Sequence, residues 1–146
     1  MTAAGVPLLE VENLAVTFDD DANPSLDGIS FALGANEILG VVGETGAGKS
    51  LLARSIISLL PNGARTCAGS IRLEGRDTAT LSAAELRQMR GGRVSLIGTD
   101  PKALLDPVRT VGAQVADVLR AHCRVSQKAA LGHAVDMLAK VGIVDP

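Results

Sequence analysis

The chain has 146 residues, of which 47% are apolar and 21% charged, a length and composition that predict one globular domain with its own hydrophobic core. Its formal net charge is −2, and Phe18 and Phe31 are its only aromatic residues. We therefore expect no nucleic-acid partner, because the chain has neither a basic field for phosphates nor a set of rings for base stacking.

The sequence also disfavours export, a membrane span and a metal centre. The first 14 residues lack the basic stretch and apolar core of a secretory signal, and no apolar run approaches the roughly 20 residues that cross a bilayer. Cys67 and Cys123 have no metal-ligand spacing and are interpreted as free thiols. His122 and His133 have no partner at ligand spacing and are interpreted as ordinary helix residues.

The N-terminal part is predicted to be rich in strands. Residues 8–18 (LLEVENLAVTF) favour one or two strands, and residues 19–25 (DDDANPS) favour a turn. Residues 26–33 (LDGISFAL) have the alternation of a half-buried strand. Residues 37–43 (EILGVVG) are a short, continuous apolar run, which predicts a strand buried on both faces.

A helical pattern follows at Lys49. Apolar residues recur on one face as far as Leu60, and residues 61–63 (PNG) end the run. Residues 69–75 (GSIRLEG) and 93–98 (RVSLIG) are each predicted to form a short strand.

Hydroxyl residues predict where the remaining helices begin. Ser82 and Glu85 have the spacing of a capping box, in which each side chain accepts a hydrogen bond from the other residue's backbone N–H. Thr110 is expected to start a second helix and Ser126 to cap a third, which Gly142 ends.

The most specific motif is glycine-rich and lies between a predicted strand and a predicted helix. The spacing GxxxxGK[ST] is formed by Gly43, Glu44, Thr45, Gly46, Ala47, Gly48, Lys49 and Ser50. Glycines allow successive backbone N–H groups to turn inward around a phosphate at a helix N-terminus. Lys49 can reach the β- and γ-phosphates, and the Ser50 hydroxyl can coordinate Mg²⁺. The motif therefore predicts a nucleotide-binding P-loop (Walker A) in preference to a chance turn.

Further segments occur with this loop in a specific order. Residues 26–33 and Glu37 precede it, and residues 69–77 (GSIRLEGRD) and 100–115 (DPKALLDPVRTVGAQV) follow it. Together they resemble the ATP-binding subunit of an ABC transporter, most of all the dipeptide, oligopeptide and nickel importer group. The resemblance extends over nearly the whole chain.

The resemblance implies an α/β fold of the P-loop NTPase type. An antiparallel β portion would precede the loop, and helices would follow the position of the family's glutamine loop. Residues 1–146 would be the N-terminal part of one nucleotide-binding domain. The family's Leu-Ser-Gly-Gly-Gln signature, Asp-Glu strand and switch histidine do not occur in the sequence, so we expect an incomplete core sheet and assign no catalytic residue.

The resemblance also implies roles for individual residues. Residues 43–50 would bind ATP, and Ser50 would bind its Mg²⁺. Phe18, 25 positions before Gly43, matches the aromatic residue that stacks on adenine, although a core residue at a strand end is an equally good interpretation. Thr99 occupies the position of a glutamine that contacts the metal. Because threonine is shorter, it could reach Mg²⁺ only through a water or a shifted loop.

The implied function is that of the ATP-binding component of an importer, coupling ATP binding and hydrolysis to uptake of peptides or nickel across the plasma membrane. Its partners would be membrane permease subunits and a second ATP-binding subunit, identical or different. Its location would be the cytoplasmic face of the membrane. Two alternatives stay open: a non-catalytic nucleotide-binding remnant and, with less support, a small-molecule kinase.

Overall fold

Alternating apolar residues build an antiparallel sheet in the first half of the chain. The computed structural model describes residues 5–19, 23–100 and 102–145, without the side chain of Ala103. The strands in these residues are β1 (Leu9–Phe18), β2 (Leu26–Leu33), β3 (Ala64–Leu73) and β4 (Arg76–Asp77). They form one sheet in the order β2-β1-β3-β4, and each neighbouring pair is antiparallel.

The helices lie between and after these strands. They are α1 (Lys49–Ile56), α2 (Ala83–Gly92), α3 (Val111–His122) and α4 (Gln127–Lys140), with 3-10 turns at Thr78–Thr80 and Lys102–Leu104. The chain divides into two compact units, Met1–Arg87, which contains the sheet and α1, and Gln88–Pro146, which contains α3 and α4. Among the described helices, none has the length and apolar content that crossing a membrane requires.

The core of the first unit joins the sheet to α1. Its buried members are Leu9, Val11, Leu14, Val16, Leu26, Leu52 and Ile71. Leu52 is the contribution of α1, and β1 supplies the three most deeply buried side chains. Burial of an aliphatic side chain of this size stabilises the fold by roughly 1.5–3 kcal/mol. The central strand β1, paired on both edges, therefore organises this unit and holds α1 against it.

A bulge explains how one strand follows two apolar patterns. The core-facing residues of β1 are odd-numbered before Asn13, at Leu9 and Val11, and even-numbered after it, at Leu14 and Val16. Asn13 has a φ of 46°, and the pairing with β3 shifts register there. Opposite it, Gly69 has a φ of +83°, and a Cβ at this position would collide with the carbonyl oxygens of Glu12 and Asn13. The predicted segment 8–18 thus contains one strand, Leu9–Phe18, with a bulge that needs glycine across from it.

The predictions of two strands, at residues 37–43 and 93–98, are wrong. Residues 37–43 have no regular secondary structure, and Ile38 is 100% exposed. Residues 93–98 have only an isolated bridge, and Ile97 is 94% exposed. A parallel strand forms its ladder only where a neighbouring strand pairs with its edge, and neither segment has such a neighbour among the described residues. Among the described residues, the one sheet is the antiparallel sheet of β1 to β4.

Other boundaries differ less. β2 covers the predicted residues 26–33, β3 begins before the predicted residues 69–75, and α1 ends at Ile56, ahead of the Pro-Asn-Gly stop. The predicted turn at 19–25 is only partly testable, since residues 20–22 lie outside the described residues. Cys67 and Cys123 are exposed free thiols, and His122 and His133 lie on α3 and α4, all as expected.

The second unit is built on a pair of helices with small residues between them. Ala116 of α3 and Ala130 and Ala134 of α4 are almost completely buried, and Val115 and Leu119 pack around them. Alanine lets two helices approach closely, because it adds little volume at the contact. This unit therefore has a small core of its own.

The helix caps that the sequence predicts are present. The backbone N–H and hydroxyl of Ser82 donate to the Glu85 carboxylate at 2.9 and 2.7 Å, and the Glu85 N–H donates to the Ser82 hydroxyl at 3.3 Å. These bonds and the guanidinium of Arg76 lower the pKa of Glu85 to about 2. The hydroxyls of Thr110 and Ser126 accept from backbone N–H groups three residues onward. All three caps are confirmed.

Candidate phosphate-binding site

The backbone of residues 43–50 has the curvature that a phosphate loop needs. Gly46 and Gly48 have φ angles of 88° and 86°, in the left-handed region that side-chain-bearing residues rarely adopt. Gly48 is also the N-cap of α1, and its carbonyl accepts the first helical bond, from the Leu52 N–H at 2.8 Å. The loop therefore leads directly into a helix N-terminus, where N–H groups without helical partners can face an anion.

The ammonium of Lys49 lies within this loop. Its Nζ donates to the carbonyl oxygens of Gly43 at 2.7 Å and Glu44 at 2.6 Å. The Glu44 carbonyl also accepts from the Ala47 N–H at 3.2 Å. Charge-assisted bonds of this length are among the stronger hydrogen bonds in proteins. Lys49 thus closes the loop on itself and places a positive charge beside it.

Ser50 offers one oxygen to a cation. It is the second residue of α1 and is exposed, and the described part of the chain gives its hydroxyl no hydrogen-bond partner. The described residues contain no group of three or more His, Cys, Asp or Glu side chains that could hold a metal ion. Mg²⁺ in nucleotide sites takes one or two protein oxygens and fills its remaining positions with phosphate and water. A single accessible hydroxyl beside the loop fits that mode of binding.

The other site residues predicted from sequence differ in burial and in their position in the fold. Phe18 is half-buried at the end of β1, opposite Ala64, which leaves both of its interpretations open. The side chains of Glu44, Thr45 and Ala47 are exposed, so their observed contribution is the backbone of the loop. Thr99 belongs to the second unit and is exposed in a stretch without regular secondary structure. Its role as a metal ligand stays a prediction.

One organising side chain was not singled out by the sequence analysis. Gln114 of α3 donates from Nε2 to the carbonyls of Asp106 and Arg109 at 3.0 and 3.1 Å, and its Oε1 accepts from the Asp106 N–H at 2.9 Å. Arg109 also pairs with Asp117, which lowers the pKa of that carboxyl. The loop ahead of α3 is therefore tied to the helix that follows it. Nothing in the local pattern marks Gln114, since a glutamine on a helix is usually solvated.

Comparison with known proteins shows the family. The model of the ABC transporter family matches residues 26–145, which include the glycine-rich loop of residues 43–50 and every helix described above. The chain belongs to the ABC transporter family. Its relatives include a probable peptide ABC transporter ATP-binding protein from Sinorhizobium fredii, 42% identical over 142 residues that make up 95% of this chain and 42% of the relative.

Two further curated relatives of this ABC transporter chain are described as peptide transporters. The oligopeptide transport ATP-binding protein OppD of Mycobacterium tuberculosis is 41% identical, over 96% of this chain and 23% of its own length. The dipeptide transport ATP-binding protein DppD of Haemophilus influenzae is 38% identical, over 95% of this chain and 43% of its own length. The chain thus spans less than half the length of each of these relatives.

Solved structures support the fold. The dimeric ATP-binding cassette MJ0796, bound to ADP and phosphate, matches with a TM-score of 0.73 at 19% identity, over 94% of this chain and 58% of that one. An ATP-bound bacterial Atm1-family ABC exporter matches with a TM-score of 0.54 at 25% identity, over 96% of this chain and 23% of that one. The ABC ATPase fold is therefore shown for this ABC transporter chain, and its antiparallel portion is the one described above.

Proposed function

We propose that this chain is the nucleotide-binding portion of the ATP-binding component of an ABC importer. Residues 43–50 would hold the triphosphate of ATP. The observation that carries the proposal is the loop itself: two glycines at positive φ lead into α1, with the Lys49 ammonium inside the curve. Loop N–H groups, the helix N-terminus and one positive charge all favour a polyanion at the same place.

Phosphate binding would leave the two bonds of Lys49 to the loop carbonyls in place. The ammonium has three donors, and two of them are engaged by loop carbonyls. The third can point at a phosphate oxygen while the first two keep the loop closed. A triphosphate would therefore meet a loop that is already curved and closed, which lowers the ordering cost of binding.

Ser50 and Phe18 would complete the ligand contacts. The Ser50 hydroxyl would join phosphate oxygens and waters around Mg²⁺, which when bound neutralises negative charge on the phosphates. Phe18 is the last residue of β1. Two residues before it, Val16 pairs with Leu26, which adjoins the phosphate loop. The half-buried ring of Phe18 could stack on adenine, a contact worth about 1–3 kcal/mol for bases on aromatic side chains elsewhere. Thr99 is the further candidate for a water-mediated contact to the metal.

The transport role rests on the relatives. The relatives named above are described as ATP-binding proteins for the transport of peptides, oligopeptides and dipeptides. These descriptions support peptides as the imported solute, with nickel as the other candidate of this group. ATP-binding subunits of this family work with membrane permeases and dimerise. We accordingly propose permease subunits and a second ATP-binding subunit as partners, at the cytoplasmic face of the membrane. The tied loop ahead of α3 is the proposed region of permease contact.

Calorimetry of the purified chain with MgATP tests the proposal. We expect saturable binding that weakens at least tenfold in Lys49→Ala, and no change in the matched control Lys128→Ala, whose lysine is exposed near the start of α4. Chelation of Mg²⁺ with EDTA should also weaken the binding of ATP by the wild-type chain. Absence of binding by folded wild-type chain, or equal binding by Lys49→Ala, would overturn the proposal.

A second candidate is nucleotide binding without turnover. It is favoured by a sequence observation: the 146 residues contain no Asp-Glu pair to polarise an attacking water. A phosphate-release assay on the chain alone, with Lys49→Ala as the background, tests this second candidate against a chain that hydrolyses ATP by itself. Release that depends on Lys49 would show that the chain is an ATPase by itself, whereas binding without release would support the second candidate.

A further inference from the structure

Gly48 of the phosphate loop lies directly against a side chain of the sheet. A Cβ placed on Gly48 would be 2.5 Å from Cδ2 of Leu26 and 3.4 Å from the carbonyl oxygen of Ser25. Non-bonded carbon atoms do not come this close, so one of the two would have to move. Leu26 therefore fills the space beneath the loop up to the glycine backbone itself.

Leu26 is held in place by the sheet. It is the first residue of β2, is only 5% exposed, and belongs to the core cluster of the first unit. Its strand position is fixed by pairing with Val16, and the neighbouring Ser25 N–H donates to the Val16 carbonyl at 2.7 Å. The side chain that meets Gly48 is thus packed in the core and carried by a paired strand.

The position of Gly48 determines where the anion-binding groups lie. It is the N-cap of α1, so Lys49 and Ser50 follow it as the first two helical residues. A second contact, from Leu52 to the same core cluster, holds the next turn of the helix. A shift of Gly48 toward the sheet would tilt the first turn about Leu52 and move the N–H groups that would face a bound phosphate.

We propose that Leu26 is a positioning residue for the phosphate loop, acting through Gly48. The antiparallel sheet would in this way set the distance between the loop and the sheet, and nucleotide affinity would depend on the δ carbons of one buried leucine. This inference rests on the proposed nucleotide binding by residues 43–50.

The first test compares two leucines of the same core. Leu26→Val removes the δ carbons and introduces a β-branched residue, which suits a strand, so the variant is expected to fold. Leu9→Val is the matched control, because Leu9 is 8% exposed in the same cluster and pairs with Leu33 at the other end of β2. We expect calorimetry to show MgATP binding about tenfold weaker in Leu26→Val and unchanged in Leu9→Val.

Thermal unfolding of both variants separates an effect on stability from an effect on nucleotide affinity. Each loses buried carbons and should unfold at a lower temperature, so a purely structural role for Leu26 would affect unfolding in both and Kd in neither. The Leu26→Met variant retains a long apolar side chain and should restore most of the affinity. Equal Kd values for Leu26→Val and wild type would overturn the inference.

A double-mutant cycle with Gly48→Ala tests the contact itself. The new Cβ would collide with Leu26 in the wild-type background, whereas the Leu26→Val background has room for it and leaves only the strain of a positive φ. We expect Gly48→Ala to weaken MgATP binding less in the Leu26→Val background than in the wild type. Strictly additive effects would show that the two positions act independently and would overturn the inference.

One readout does not depend on nucleotide. Hydrogen exchange of the Leu52 N–H, which is bonded to the Gly48 carbonyl, should accelerate in Leu26→Val and not in Leu9→Val. If the wild type bound no MgATP, the proposed function would fail, and this exchange measurement would still decide whether Leu26 positions the loop. Unchanged exchange in Leu26→Val would contradict the positioning role.

Discussion

Replacing Ile38 with lysine should leave the stability of this chain unchanged, although the sequence pattern places it in a buried strand. Ile38 is 100% exposed and Val42, four residues on, is 94% exposed. Replacing Ile38 therefore removes no buried apolar area, and we expect the free energy of unfolding to change by no more than about 0.5 kcal/mol. If the residue were buried, the lost burial and the desolvated ammonium would together cost about 3 kcal/mol or more.

The matched control is the same change at a buried isoleucine. Ile71 of β3 is 6% exposed and belongs to the core cluster, so Ile71→Lys should lower the free energy of unfolding by the larger amount. Urea titration followed by circular dichroism measures both variants. Light scattering should also decrease in Ile38→Lys, because a charge interrupts an exposed apolar segment that can pair with another chain. A loss of stability in Ile38→Lys comparable to that of Ile71→Lys would refute the reasoning.

Three further changes test the local structure. Gly69→Ala should destabilise the first unit by about 2–3 kcal/mol in urea titration, because of its positive φ and the carbonyls of the bulge, whereas Gly112→Ala on α3, with nothing within 4 Å, should not; equal effects would contradict the bulge assignment. The pKa of Glu85 is about 2, below its ordinary 4.5, so its contribution is complete above the ordinary value and is lost as the pH falls toward 2. Glu85→Gln should reduce this acid sensitivity in helix melts followed by circular dichroism, and an unchanged acid transition would count against the capping box. Ser126→Ala should cost about 1 kcal/mol, with Ser126→Asn as the control that retains a cap, and calorimetric unfolding would show whether the two differ.

Features that depend on neighbours in sequence were predicted well. The Ser82–Glu85 box and the Ser126 cap each join groups three residues apart, so the local sequence contains both partners. The conformations at Gly46 and Gly48 follow from the same kind of local constraint, since glycine alone adopts a positive φ without strain. These interactions would form in much the same way in any fold that placed the segments in water or at a surface.

Features that depend on distant partners could not be predicted in the same way. Residues 37–43 and 93–98 have the composition of buried strands, but burial and pairing require a neighbouring strand, and the described residues supply none. The contact of Leu26 with Gly48 and the bulge of Asn13 against Gly69 likewise bring together residues far apart in the chain. The local sequence around one residue of such a pair does not indicate which residue it will contact.

The sequence by itself determined the glycine-rich loop of residues 43–50, the helix caps and the resemblance to the ABC transporter family, because each depends on residue types at short spacing. Only the tertiary structure decided which apolar segments are buried, where β1 changes its inward-facing register, and which side chain supports the loop from below. The physical reason is that a strand ladder and a packed core are non-local, since each hydrogen-bonding edge and each apolar face is satisfied by a part of the chain that local pattern does not identify.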